Sequence, residues 1–77
     1  MEYQSAKEIH KAIKDNISVI QQLFDRAKKM QDSIAGLQNE EDKELMTQSF
    51  NSVVESINSL VKSTDRLFDS LESLMEE

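Results

Sequence analysis

The chain holds one histidine, His10, one tyrosine and no cysteine among its 77 residues. Most side-chain chemistry depends on these types, so the routes to catalysis are few. A two-metal carboxylate site in a helical bundle uses Glu-x-x-His on two helices. Here Glu8 precedes His10 by two residues and projects to a different face, and there is no second histidine. A nucleophilic serine needs a neighbouring base, and only His10 could supply one. A single glycine, Gly36, rules out a glycine-rich phosphate loop. Without cysteine there is neither a disulfide nor a thiolate metal site, and nothing follows about redox compartment. The sequence therefore points to a non-enzymatic protein with no catalytic residue, no cofactor and no metal, and His10 to a flank residue at a bundle edge.

Charge narrows the partners. The net charge is -6, from 15 acidic and 9 basic side chains. Sequence-independent nucleic-acid binding needs clustered Lys and Arg, so no nucleic-acid partner is expected. An acidic chain could imitate nucleic acid towards a DNA-binding protein, although an acidic balance is also an ordinary route to solubility. No stretch approaches the roughly 18 apolar residues of a membrane span, so no membrane partner is expected. The start, MEYQSAKEIH, lacks a basic n-region and an apolar h-region. That implies a cytoplasmic protein, or one exported without a cleaved signal peptide. Glu2 and the terminal Leu-Met-Glu-Glu carry no lipidation signal.

The elements follow from the breakers. There is no proline, and Gly36 lies near the middle of a chain otherwise filled with helix-compatible residues. Ala35-Gly36-Leu37 fits a helix C-terminus with Gly36 in the left-handed position and Leu37 as the apolar residue after it. Asn39 fits the next N-cap, with Glu40, Glu41 and Asp42 at the positive end of a new helix. The expectation is a single all-α domain spanning residues 1–77. Its helices run over about 3–35 and 40–75, joined by a turn at 36–39.

Both helices carry a heptad. In the first, Ala6, Ile13, Ile20, Ala27 and Ile34 take position a, and Ile9, Asn16, Leu23, Met30 and Leu37 take position d. In the second, Met46, Phe50, Val53, Ile57, Leu60, Thr64, Leu67, Leu71 and Leu74 alternate in steps of four and three. The short turn forces an antiparallel hairpin. Position e adds a further stripe, with His10, Ile17, Phe24 and Gln31 on one helix and Val54, Val61, Phe68 and Met75 on the other. Antiparallel pairing puts both stripes on one side, so Ile17, Phe24, Val54, Val61, Phe68 and Met75 make one apolar surface. One seam pairs two helices, and the extra stripe asks for a further partner. Slight rotation of the two helices could also cover it. Leaving six large side chains wet forfeits roughly 1.5–3 kcal/mol each, which favours association. The expected assembly is a four-helix bundle formed with a second copy or with a similar helical hairpin. The competing reading is a small acidic regulator or inhibitor that docks on an enzyme or DNA-binding protein.

Folding the chain near residue 40 makes facing residue numbers sum to about 80. Asn16 then faces Thr64, and a matched polar layer can fix register at some cost in stability. Alternatively, each points its polar atoms to solvent. Lys7, Lys11 and Lys14 lie near the positive end of the first helix, and Asp69, Glu72, Glu76 and Glu77 near the negative end of the second. Antiparallel pairing brings the two groups together as orientation signals. Ser49, Ser52, Ser56, Ser59, Ser63, Ser70 and Ser73 recur on the flank opposite the e stripe. That flank reads as a solvated polar face, a second docking surface or a phosphorylation region.

In outline the chain resembles the WXG superfamily of small type VII secretion substrates. Those are disulfide-free antiparallel helical hairpins that pair into homo- or heterodimeric four-helix bundles. They carry Trp-x-Gly in the turn and an aromatic-x-x-x-acid export motif near the C-terminus. Here Ile34-Ala35-Gly36 keeps the glycine and lacks the tryptophan, and Phe68-Asp69-Ser70-Leu71-Glu72 supplies an aromatic and an acid at the motif's spacing. The chain is shorter than is usual for that family. The resemblance implies a secreted protein or a partner of one.

Overall fold

The computed structural model describes residues 5–76. Among the described residues the chain is all-helical, with α1 over Ala6–Gly36 and α2 over Glu40–Met75 packed against each other as a hairpin. The molecule measures 58 × 16 × 16 Å, as two helices of 31 and 36 residues side by side require.

Each helix begins on a side-chain cap. The Glu8 backbone N–H donates to Ser5 Oγ at 3.2 Å, and Ser5 has extended backbone angles. Among the described residues α1 begins at Ala6; the expected start near residue 3 lies outside them. The signal was present in the sequence, since Ser5 and Glu8 have capping-box spacing. Asn39 caps α2, its side chain accepting from the Asp42 N–H at 3.1 Å. Asp42 and its two acidic neighbours occupy the first turn, where the helix dipole favours negative charge.

The turn differs from the sequence expectation. Gly36 is the last residue of α1 and has no positive φ. The helix closes through a tight bond from the Leu37 N–H to the Ile34 carbonyl at 3.2 Å, and Leu37 is extended, at φ -78° and ψ 139°. Asn39 is extended as well. The reversal therefore lies in the extended residues after Gly36, a geometry that any L-residue adopts, and no left-handed cap is needed.

The seam closes unevenly. Ile9, Ile13 and Leu67 form the buried cluster near the open end, with Ala12 and Leu71 packed against it. Ala27, Ile57 and Thr64 are also buried. In the half nearer the turn, Leu23, Met30, Ile34, Met46, Phe50 and Val53 are only half-buried, although all hold a or d positions. Two cylinders in contact along one line shield only one side of each side chain. The exposed surface is 6096 Å², against about 4,800 Å² for a compact monomer of this mass.

Candidate functional site

Position e lies one residue beyond d, on the shoulder of the seam. Five of the six expected stripe residues are exposed there: Ile17, Phe24, Val61, Phe68 and Met75. Val54 is half-buried. Phe24 keeps 52% of its surface in solvent and Phe68 keeps 42%. Phe24, Ala27, Phe50, Val54 and Ile57 line one open groove of about 350 Å³. Residues of the a and e positions from both helices thus share a single surface at the turn-proximal end.

The register is visible in one hydrogen bond. Asn16 Nδ2 donates to Thr64 Oγ1 at 3.2 Å. The Thr64 hydroxyl itself donates to the Leu60 carbonyl at 2.7 Å. Thr64 is thus satisfied as donor and acceptor in a position only 6% exposed. Asn16 and Thr64 have numbers summing to 80, so other layers can be counted from them. The e positions pair two residues off that count, so Phe24 with Val54, Ile17 with Val61, and His10 with Phe68 lie within about 3 Å of a common level. The next layer towards the turn holds Gln31 and Thr47, where the apolar stripe ends. Phe24 and Phe68 are about 20 Å apart along the axis, at 1.5 Å per residue.

Among the described residues the charges at the open end form no ion pair within the hairpin. Among the described residues the ion pair present is Lys43 with Glu40, 3.8 Å apart, one turn along α2. Lys7, Lys11 and Lys14 share an end with Asp69, Glu72 and Glu76 but form no bridge to them; Glu77 lies outside the described residues. The physical reason is the stripe itself. Lys7 and Lys14 border it on the α1 side and Glu72 on the α2 side, so the apolar band separates them.

On the opposite flank, Ser49, Ser52 and Ser56 donate to the carbonyls four residues earlier, at 3.0–3.2 Å. Their hydroxyls are used within the helix. Two exposed apolar residues, Val19 and Leu45, lie on this side and were missed by the sequence reading. They are about 24 Å apart along the axis by the 1.5 Å rise, so they make no continuous patch. Among the described residues no group of three His, Asp or Glu side chains could hold a metal ion, and no helix is long and apolar enough to cross a membrane. No family model, curated protein or solved structure matches this chain.

Proposed function

We propose that the chain is a non-enzymatic helical interaction module. It buries its e stripe against a second helical hairpin, a further copy or a similar protein, and so forms a four-helix bundle. The observation that carries this reading is the exposure of Phe24 and Phe68 in a continuous apolar band on one side of the seam. Contiguous exposed apolar surface of that kind marks interaction sites. The face of 58 by 16 Å has a footprint of about 900 Å² as the product of those extents. A stable interface needs about 800 Å² from each partner.

A role as a small type VII secretion substrate or partner falls within this reading. Phe68 and Glu72 are both exposed one turn apart on α2, as an export motif would require. The competing use, docking as an acidic regulator on an enzyme or DNA-binding protein, differs in its solution behaviour. Sedimentation over a hundredfold range of concentration separates them. A dimer whose unfolding midpoint rises with concentration supports the assembly. A chain that remains monomeric with its stripe exposed favours the regulator or an obligate heterodimer.

A further inference from the structure

The stripe has two differently charged borders. Position b lies beyond e on the same side of each helix. On α1 the b positions are Lys7, Lys14, Gln21, Lys28 and Ala35; on α2 they are Glu44, Asn51, Asn58, Asp65 and Glu72. All are exposed. Lys28 and Asn58 line the rim of the groove formed by Phe24 and Val54. One border therefore carries only positive charge and the other only negative charge. Among the described residues none of these lysines bridges to an acid.

We propose that this surface takes a second copy of the chain about a two-fold axis parallel to the helices, with both turns at the same end of the bundle. The inference rests on the assembly reading above and adds the partner and its orientation. Two face-to-face arrangements with a two-fold axis exist. With the axis along the helices, α1 packs on the partner's α2, and both chains keep the same levels. Lys14 then meets the partner's Asp65, and Lys7 meets the partner's Glu72. Gln21 falls level with the partner's Asn58, and Lys28 with the partner's Asn51. Symmetry doubles each contact, giving four ion pairs at the rim.

With the axis across the helices, α1 packs on the partner's α1 with the turns at opposite ends. Centred on the layer of Ile17 and Val61, this brings Lys7 level with the partner's Lys28. Asp65 and Glu72 then face only asparagines. Every neighbouring helix pair is antiparallel in both arrangements, so the helix dipoles do not choose between them. The borders do, because opposed charges fix register and orientation while like charges penalise the alternative.

The absence of cysteine makes a single spin label at Gln38→Cys unambiguous. Gln38 lies in the exposed turn. In the proposed dimer the two labels lie roughly 15–25 Å apart, as set by the 8–10 Å spacing of packed helices. In the crossed arrangement they approach the 58 Å length of the hairpin. Charge exchange supplies an independent reading. Lys14→Glu should raise the dimer Kd about tenfold, the scale of two rim ion pairs turned repulsive. Lys14→Glu with Asp65→Lys in the same chain should restore it. A sedimenting dimer with a long label distance, or a double variant as weak as the single, overturns the orientation and leaves the assembly reading standing. A chain monomeric at all concentrations overturns the pairing with a second copy and, within the assembly reading, leaves only a different hairpin as partner.

Discussion

The two flanks of the seam leave very different groups in solvent. On the serine side, the hydroxyls of Ser49, Ser52 and Ser56 donate to their own helix, and the exposed Val19 and Leu45 stand far apart. Those three hydroxyls have their partners within the helix. On the e side, Ile17, Phe24, Val61, Phe68 and Met75 are exposed together in the hairpin. A helical surface can thus satisfy its polar groups locally, through bonds four residues back. It cannot satisfy its apolar groups locally, because burial requires another body. The flank that looks more reactive in composition, with its row of hydroxyls, therefore satisfies at least three of them within its own helix.

The largest expected effect comes from placing charge in the apolar flank. Phe24→Glu and Phe68→Glu should each reduce the assembly to monomer, because each removes two aromatic anchors from a symmetric dimer. At roughly 1.5–3 kcal/mol per buried large side chain, the loss is about 3–6 kcal/mol, or a hundredfold or more in Kd. Much of the helical circular dichroism should fall with it. If both variants stay folded with unchanged sedimentation mass, the stripe is not the interface and the serine flank takes its place.

A smaller effect is expected where the flanks meet the core, at Asn16 and Thr64. The Thr64 hydroxyl donates to Leu60 whether or not Asn16 is present, so the pair contributes one cross-helix bond. Replacing both by Leu exchanges that bond for apolar packing and should raise stability by about 1–2 kcal/mol. It should also permit more than one helix alignment, visible as broadened or doubled amide resonances. A double variant that is less stable and yields a single species removes the register role.

Below that lies the turn. Asn39→Ala deletes the acceptor for the Asp42 N–H and should cost about 1 kcal/mol, read by thermal melting. Hydrogen exchange should quicken in the first turn of α2 and remain unchanged at the buried Ile9, Ile13 and Leu67 cluster. Equal acceleration at both ends would mean that the cap supports the whole hairpin.

How far the sequence carries can be read from these same residues. The heptad locates the two helices and the facing of Asn16 with Thr64, because side-chain direction on a helix depends only on spacing. It does not locate the depth of burial. Ile9 and Met30 both hold position d, yet one is fully buried and the other half-exposed. Heptad spacing sets the direction of a side chain and not the depth to which it is covered. Gly36 illustrates a second limit. Glycine permits a left-handed cap without requiring one, and the chain turns instead after Gly36, where Leu37 and Asn39 are both extended. The lysines and acids at the open end, by contrast, are legible in full from topology and heptad position. Their shared end follows from topology, and their separation by the stripe follows from positions on the helix circumference.

The smallest effect tests the serine flank. Ser52 is exposed, and its hydroxyl bonds to the Gln48 carbonyl at 3.2 Å. That carbonyl already accepts from the helix ladder, so the hydroxyl bond competes with backbone geometry more than it adds to it. Alanine has no such competitor and a higher helix propensity. Ser52→Ala should therefore raise stability by about 0.5 kcal/mol, with sedimentation mass and dimer Kd unchanged. The neighbouring Ser56 donates to the Ser52 carbonyl, which the substitution leaves in place, so the change stays local. A docking surface at this flank would behave in the opposite way. Removing a hydroxyl that contacts a partner would weaken association while leaving the isolated helix more stable. The paired measurement of Kd and melting temperature on this one variant therefore assigns the serine row either to solvent or to a partner.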